Sequence, residues 1–326
     1  MNVAIIGGTG FIGRYVAERL LLRGVTPVVI ARGQHPVLLP WEVLFRPADR
    51  MDRDAVSRIL CDHNIEVVID IFALGMLNTK TVFEAMAERG GRYVLLSSVD
   101  VYRNYGGLLR REEPPIQWEP ARETDPLRTF RYPYRGNPRR PQGVEQALFE
   151  DYDKIVLEEA ALADGRFSTT VIRAPMIFGP GDKQNRFGWA IGAAKRGGVV
   201  EIDQRAMGWR NSYGFAVDVA DAMVTAALDG RAAGQIFNVG QSHVRTPAEW
   251  IELFAAVLGT HVAVRGVPPE AKGLLWERAE ASDLRYPLTL DTSRIRQELG
   301  WTEPTAERDA LLRTVLADGE SALAAR

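Results

Sequence analysis

A glycine-rich turn directly after the first apolar segment restricts the fold of this chain more than any other feature. Residues 3–6 form a short β-rich run, an amphipathic pattern begins at residue 13, and the turn between them reads Gly7-Gly8-Thr9-Gly10-Phe11-Ile12-Gly13. Glycines permit a tight turn and the close approach of a pyrophosphate, while a helix N-terminus offers free N–H groups and a positive dipole to phosphates. The turn predicts a dinucleotide site, and the alternative is a turn that only needs positive φ.

Apolar strands alternate with helical patterns through the first half of the chain, as a parallel sheet covered on both faces requires. The predicted strands are 3–6, 27–31, 67–71 and 93–97, and the predicted helices are 13–23, 53–61 and 79–89. The pattern resumes with a helix at 151–164 and a strand at 169–173, and it becomes irregular beyond Pro175. We expect a doubly wound α/β domain at 1–174 and a smaller lobe at 175–326, with segments near 213–240 returning to the first domain.

Composition excludes several function classes. The 326 residues include 40 basic and 42 acidic side chains, and this net charge of −2 gives no bulk field that attracts nucleic acid. No apolar run approaches the roughly 20 residues of a membrane span, and no basic and apolar leader precedes the first strand, so we expect a cytoplasmic protein without a membrane anchor. The single Cys61 excludes an intramolecular disulfide, and its apolar helical pattern predicts a packed thiol. We expect no metal site, because the four histidines are scattered: His35, His63, His243 and His261.

The end of the second strand indicates which dinucleotide is bound. An acidic residue here usually recognises the ribose of NAD, whereas an arginine suits the 2′-phosphate of NADP. Position 31 is alanine and Arg32 follows it, so we predict NADP rather than NAD; the alternative is a solvated loop arginine. Asp49 and Arg50, after the third strand, are expected to reach the adenine rim, and Phe72 is expected to flank the adenosine and pyrophosphate.

Several motifs resemble the extended short-chain dehydrogenase/reductase family, and more narrowly its NAD-dependent epimerase/dehydratase branch. They occur in the family's order over nearly the whole chain and comprise the glycine turn, Leu96-Ser97-Ser98-Val99-Asp100-Val101-Tyr102, Lys154 with Glu158, Arg173-Ala174-Pro175, Phe178-Gly179-Pro180-Gly181-Asp182, Phe237-Asn238-Val239-Gly240 and Leu299-Gly300-Trp301. The resemblance implies a Rossmann-type doubly wound parallel sheet with a smaller C-terminal α/β substrate lobe, often a nucleotide-sugar substrate, and a homodimer. Ala31-Arg32-Gly33, Asp49-Arg50 and Tyr152-Asp153-Lys154 are similar to an atypical subgroup that includes chloroplast stem-loop-binding proteins and need not keep the full catalytic set.

The resemblance assigns catalytic roles to specific positions. Ser98 matches the serine that hydrogen-bonds the reacting oxygen, with backbone capping as the alternative. Lys154 matches the lysine that holds the nicotinamide ribose and lowers the pKa of a neighbouring phenol. Asp100 aligns with the second of two acidic residues in related 4,6-dehydratases, but Val99 stands at the first, so an exposed strand-end aspartate is favoured.

The family's tyrosine is missing four residues before Lys154, where this chain has Glu150. Glu150 could form an i,i+4 ion pair with Lys154 or accept a proton from an alcohol. Tyr152 is two residues from Lys154, which on a helix points the two side chains to nearly opposite sides. It could substitute only if the helix begins late. Other tyrosines could supply a displaced phenol, although packing is the simpler interpretation for each: Tyr102, Tyr105, Tyr132 and Tyr134.

Arginines are numerous on the expected substrate side. Arg210 is the preferred anion-binding candidate and Arg186 a second one, whereas the alternative for such residues is a solvated face. The irregular segment 103–145 adds more, among them Arg139 and Arg140.

We therefore predict an NADP-dependent oxidoreductase or epimerase that acts on an alcohol or ketone of a small polar substrate, with a non-standard proton donor. The substrate class is a nucleotide sugar or a natural-product intermediate. The alternative is a non-catalytic dinucleotide-binding protein with an RNA-associated role, which the absence of aromatic and basic repeats disfavours.

Overall fold

Seven parallel strands form the central sheet of the computed structural model, which describes residues 1–34, 39–137 and 144–324. His35, Arg139 and Arg140 lie outside the described residues. The described residues form these strands, of which seven belong to the central sheet: β1 (Val3–Ile6), β2 (Val28–Ala31), β3 (Leu44–Pro47), β4 (Val67–Asp70), β5 (Arg92–Ser98), β6 (Ser168–Ala174), β7 (Met176–Phe178), β8 (Gly198–Asp203), β9 (Tyr213–Phe215), β10 (Ile236–Asn238) and β11 (Val262–Val267). The sheet has the order β10-β6-β5-β4-β1-β2-β3. This order, with crossovers in both directions from β1, confirms the predicted Rossmann-type doubly wound fold.

The helices are α1 (Gly13–Leu22), α2 (Arg53–Asp62), α3 (Met76–Arg89), α4 (Arg103–Leu108), α5 (Gln146–Glu150), α6 (Lys154–Ala163), α7 (Gly188–Arg196), α8 (Ala216–Leu228), α9 (Pro247–Leu258), α10 (Trp276–Ala281), α11 (Ser293–Leu299) and α12 (Glu307–Ala324). None of those in the described part of the chain is both long and apolar enough to cross a membrane.

Helices cover both faces of the sheet because its strands are apolar on both sides. In β1, Val3 and Ile5 belong to the core shared with α1 and α8, whereas Ala4 and Ile6 belong to the core shared with α2, α3 and α6. Side chains alternate between the two faces of a strand, so a run of four apolar residues supplies both cores. All parallel strands end at the same edge, where the turns that follow them meet.

The C-terminal part adds a smaller layer beside the sheet. There β8 pairs with β11, and β7 pairs with β9. Helices α7 and α9 pack together around an aromatic cluster composed of Phe178, Phe187, Tyr213, Trp250 and Phe254. Strand β10 returns to the central sheet and pairs with β6. The domain limits 1–174 and 175–326 themselves stay a prediction.

Two local predictions need correction. The Cys61 thiol is exposed, because this residue lies on the solvent side of α2 whereas Leu60 faces the core. The segment 103–145 was expected to be irregular, but it begins with α4, whose buried side includes Tyr105 and Leu108. Among the described residues no group of three or more histidine, cysteine or acidic side chains could hold a metal ion.

Candidate active site and cofactor cleft

The glycine turn forms a cradle that side chains would fill. Gly7 has φ of +83°, and the Gly10 N–H donates to the Gly7 carbonyl at 3.1 Å. A Cβ on Gly13 would lie 2.5 Å from the Gly7 oxygen and 2.5 Å from the Gly8 Cα. Thr9 and Gly10 are exposed at the tip of the turn. Since α1 begins at Gly13, its first N–H groups face this cradle, and the arrangement fits a bound pyrophosphate.

Phe11 and Ile12 complete the turn on its inner side. Both are half-buried and pack against the core, and the Phe11 ring lies edge-on to Tyr15 with 6.4 Å between the ring centroids. The Tyr15 hydroxyl donates to the Pro180 carbonyl at 2.9 Å. The segment after β7 is thereby attached beside the glycine turn.

Arg50 does not reach the adenine rim as expected, because its guanidinium points inward. It forms two hydrogen bonds to the fully buried Asp70, at 2.9 and 2.6 Å, and also donates to the Asn78 carbonyl. Asp70 ends β4 and accepts the Phe72 N–H at 3.0 Å. Burial raises the pKa of Tyr93, whose hydroxyl also donates to Asp70, well above its usual value.

The remaining predicted cofactor residues lie at the carboxyl edge of the sheet. Phe72 is 37% exposed and would contact a Cβ on Gly7. Arg32 follows β2 directly and is exposed, with its Nη1 only 3.9 Å from Glu145 Oε1. Asp49 is exposed as well and accepts the Met51 N–H. This is the edge at which open α/β sheets bind their ligands.

Tyr152 lies between two helices and not on one. Helix α5 ends at Glu150 and α6 begins at Lys154, so the helix predicted from residue 151 starts late. Asp153 is the N-cap of α6 and accepts the Ile155 N–H at 3.0 Å. The opposed directions expected for Tyr152 and Lys154 are therefore wrong, since those directions assumed a continuous helix. The Lys154 ammonium lies 5.7 Å from the centroid of the Tyr152 ring.

Tyr152 joins a cluster of oxygens at the end of β5. Its hydroxyl donates to Asp100 Oδ2 at 3.0 Å, and the Asp100 N–H donates to the Ser98 hydroxyl at 3.2 Å. Tyr134 also donates to Asp100, at 3.3 Å, and its own hydroxyl is hydrogen-bonded to that of Tyr105. Asp100 is thus half-buried and doubly hydrogen-bonded, contrary to the expected exposed strand-end aspartate.

Burial changes the proton affinities in this cluster. Desolvation raises the pKa of Asp100 above its usual range, and hydrogen bonds from Tyr152 and Ser98 oppose that rise. Desolvation and the charge of Asp100 raise the pKa of Tyr152 well above its usual value, and hydrogen bonding to Ser98 opposes the rise. Burial lowers the pKa of Lys154 to about 8. Groups whose proton affinity shifts in this way are typical of functional sites.

Lys154 and Glu150 do not form the expected ion pair. The Lys154 ammonium donates to the carbonyls of Ala73 and Leu96, the latter at 2.8 Å, so it lies between the ends of β4 and β5. Glu150 Oε1 accepts the Gln146 side chain within α5 instead. The break between α5 and α6 separates the two residues, which removes the i,i+4 geometry that the ion pair requires.

The predicted anion-binding arginines differ in their availability. Arg186 is paired with Asp182 at 2.7 Å. Arg210 is exposed, and its Nη1 donates to the Val244 carbonyl at 3.3 Å. Neither lines the open cavity of about 710 Å³ in the C-terminal part, whose lining includes Trp189, Trp276, Arg196, Lys272 and Arg278.

The sequence model of the NAD dependent epimerase/dehydratase family matches residues 3–240. The chain belongs to that family. It is therefore an NAD(P)-dependent enzyme of the oxidoreductase and epimerase type, with a nicotinamide dinucleotide as its cofactor. The resemblance to the NAD-dependent epimerase/dehydratase branch and the prediction of an enzyme are confirmed.

Several proteins similar to this epimerase/dehydratase family member share 20–24% of their residues with it. A dTDP-6-deoxy-L-talose 4-dehydrogenase (NAD(P)(+)) from Kitasatospora kifunensis is 24% identical over 336 residues, which cover 95% of this chain and 93% of that protein. The chloroplast stem-loop binding protein of 41 kDa b from Arabidopsis thaliana is 23% identical over 257 residues, 74% of this chain and 60% of that protein. A UDP-glucose-4-epimerase from Stenotrophomonas maltophila, solved with bound NAD and formylated UDP-arabinopyranose, has a TM-score of 0.72 at 20% identity and covers 99% of each chain. That similarity shows the shared fold.

One buried residue of the site, Arg128, was not predicted from the sequence. Arg128 is fully buried and pairs with Asp153 at 2.7 Å, directly beside Tyr152. A lone arginine in a segment rich in solvated arginines gives no sign of burial. The only available signal was Asp153 immediately before a helical pattern, a typical N-cap that could also accept a cation.

Proposed function

We propose that this family member is an NADP-dependent oxidoreductase or epimerase that acts on an alcohol or ketone of a nucleotide sugar, with Tyr152 as the proton-transferring phenol. The observation that supports this most strongly is that Tyr152 contacts Asp100, whose N–H donates to the Ser98 hydroxyl, while the Lys154 ammonium lies 5.7 Å from the Tyr152 ring, although their sequence spacing departs from the family pattern. A phenol with a hydroxyl and an ammonium group nearby supplies what proton transfer to a carbonyl oxygen requires.

The cofactor part of the proposal rests on the glycine cradle and on Arg32. Gly7 adopts the positive φ that the turn needs, and Gly13 lets α1 pack directly on Gly7 and Gly8, so the backbone of the turn can approach a pyrophosphate closely. The exposed Arg32 guanidinium would pair with a 2′-phosphate, and its contact with Glu145 at 3.9 Å is too long to compete strongly. The bound nicotinamide ring supplies or takes up the hydride.

The proton steps follow from the oxygen cluster. During carbonyl reduction the Tyr152 hydroxyl gives its proton to the substrate oxygen, which becomes the alcohol, while the Ser98 hydroxyl hydrogen-bonds that oxygen. Lys154 stabilises the phenolate that forms. The Asp100 carboxyl contacts the Tyr152 hydroxyl at 3.0 Å, so it would relay to the phenolate the proton that restores the phenol. Oxidation of an alcohol runs through the same groups in reverse.

The substrate class is inferred from the C-terminal cavity and from the relatives. The cavity lining combines two tryptophans and three cations, Arg196, Lys272 and Arg278, with two carboxylates, and it includes no residue of the Asp100 cluster. The tryptophan rings would accept an aromatic base and the cations a diphosphate. Arg210 is a further cation available to the phosphates. The dehydrogenase from Kitasatospora kifunensis acts on a dTDP-sugar, which is consistent with this class.

The test compares Tyr152→Phe with Tyr132→Phe on a panel of nucleotide sugars, by following reduced-cofactor absorbance. Tyr132 lies in the loop before α5, and its ring packs against the Arg135 guanidinium at 3.8 Å. Tyr152→Phe is expected to lower kcat/KM by about 10²- to 10⁴-fold, and Tyr132→Phe by less than about twofold.

Unchanged turnover in Tyr152→Phe would reject the assignment of the phenol, and Tyr134→Phe would then test the other phenol that contacts Asp100. Absence of turnover on every sugar and carbonyl in the panel, together with salt-dependent RNA binding, would support the RNA-associated alternative instead.

A further inference from the structure

The buried guanidinium of Arg128 contacts both Asp100 and Asp153, the residue next to Tyr152. We infer that Arg128 is a positioning residue that fixes Tyr152 and Asp100 relative to each other. This inference rests on the proposed function of Tyr152. Arg128 comes from the irregular loop before α5, not from the sheet or from a helix that carries either group.

The contacts of Arg128 join three separate segments. Its Nη2 donates to Asp153 Oδ1 at 2.7 Å, and its Nε donates to the Asp100 carbonyl at 2.9 Å. Its Nη1 donates to the Phe130 carbonyl within the loop. The side chains of Arg128 and Asp153 are both 0% exposed, so water does not replace any of these contacts.

Asp153 transfers this constraint to Tyr152, its neighbour in the chain. One carboxylate oxygen accepts the Ile155 N–H and the other accepts the Tyr132 N–H at 2.6 Å, so Asp153 both begins α6 and holds the loop. Tyr152 itself lies in the gap between α5 and α6, outside the regular hydrogen bonding of either helix. The position of its phenol therefore depends on the turn that Arg128 and Asp153 maintain.

Arg128 also acts on the acidity of the cluster through its charge. Burial raises the pKa of Asp100 and of Tyr134, and the positive charge of Arg128 lowers both pKa values. Lys154, on α6, is the second cation near Asp100. The other titratable groups around Asp100 come from α4, the loop and the α5–α6 gap: Tyr105, Tyr134 and Tyr152.

A contribution to folding stability does not by itself explain the buried ion pair between Arg128 and Asp153. Replacing both partners of a buried ion pair by apolar residues often costs no stability, whereas removing Arg128 alone leaves Asp153 buried without a counter-charge and is strongly destabilising. A role in positioning predicts a different result from a role in stability: a loss in kcat at constant ligand affinity, combined with a changed pH profile.

The experiment uses Arg128→Met and Arg128→Lys in the full chain, with Arg296→Met as the control. Arg296 forms a half-buried pair with Glu303 at 2.6 Å in the C-terminal part. Arg128→Met is expected to lower kcat by about 10- to 100-fold, since a misplacement of about 1 Å can cost 10²-fold. The KM for substrate and the Kd for NADPH should change by less than about twofold.

The pH dependence of kcat distinguishes an effect of Arg128 on position and charge from a general destabilisation of the fold. In Arg128→Met, the limb of the kcat–pH profile that reports titration of Asp100 is expected to move to higher pH. The positive charge that lowers the pKa of Asp100 is absent from this variant. Arg128→Lys retains the charge, so its limb should stay near that of the unchanged protein while kcat is partly restored. Arg296→Met is expected to keep both kcat and the limb.

If Arg128→Met does not fold, Asp153→Asn replaces it as the test. Asparagine still caps α6, but the charged contact is lost, and the same decrease in kcat is expected. The inference is overturned if a folded Arg128 or Asp153 variant keeps the kcat and pH limb of the unchanged protein. It is also overturned if kcat, KM and Kd all change in proportion to the loss of thermal stability.

Failure of the inference and failure of the proposed function are distinguishable. Full activity of Tyr152→Phe would reject the phenol assignment whatever Arg128 does. An inactive Tyr152→Phe together with a fully active Arg128→Met would leave the proposed function in place and reject only the positioning role.

Discussion

Substitution of Gly13 by alanine tests the cofactor cradle most sharply, because an added methyl group there meets backbone and not a flexible side chain. The new Cβ would lie 2.5 Å from the Gly7 oxygen, 2.5 Å from the Gly8 Cα and 2.8 Å from the Gly8 carbonyl carbon. Real Cβ atoms do not approach so closely, so the turn must move away from α1. Overpacking of this kind costs about 1–3 kcal/mol.

The shift displaces the N–H groups that would hold the pyrophosphate. We expect the free energy of unfolding of Gly13→Ala to fall by about 1–3 kcal/mol and the Kd for NADPH to rise by at least about tenfold, which corresponds to about 1.4 kcal/mol. Calorimetry gives the Kd, and denaturant unfolding gives the stability. The control is Gly165→Ala, because a Cβ there has no heavy atom within 4 Å. Equal NADPH affinity in both folded variants would refute the reasoning.

Three further predictions concern charge. Arg32→Ala is expected to weaken NADPH but not NADH by about tenfold or more, and equal binding of both dinucleotides by the unchanged protein would contradict NADP preference. Lys154→Met should lower kcat by at least about 10²-fold, because it removes the ammonium that lies 5.7 Å from the Tyr152 ring, and an unchanged kcat would count against its role. Burial raises the pKa of Asp218 to about 6, so the native carboxyl keeps a proton that the unfolded chain releases, and the stability it contributes below about pH 4 is lost as pH rises through 6. Asp218→Asn should remove about 2–3 kcal/mol of this pH dependence in urea unfolding, and an unchanged slope between pH 4 and 6 would contradict it.

Local patterns predicted the central fold because the relevant interactions are local. The apolar run of β1 supplies both faces of the sheet, and a Cβ on Gly13 would meet the backbone of Gly7 and Gly8 in the turn itself. Sheet and turn are therefore visible in a few consecutive residues. The same holds for Ser98, which ends β5 directly.

The side-chain positions that could not be predicted from the sequence depend on ion pairs between residues far apart in the chain. Arg50 turns inward because Asp70, 20 residues away, is buried behind it. The helix around Lys154 begins late because Asp153 caps it and pairs with Arg128, 25 residues earlier. Nothing in the local pattern around Tyr152 indicates either contact. The Tyr152 phenol, which could substitute only if the helix began late, is consequently beside Asp100 and not on the far side of a helix.

The central claim is that Tyr152 and Ser98 share one substrate oxygen next to the bound nicotinamide. A crystal structure with NADP and a nucleotide-sugar ligand measures this directly. We expect both hydroxyl oxygens within about 2.6–3.2 Å of the reacting substrate oxygen, with Asp100 still in contact with the Tyr152 hydroxyl. A Tyr152 hydroxyl that points away from the nicotinamide ring, with a different ionisable group on the substrate oxygen, would contradict the account.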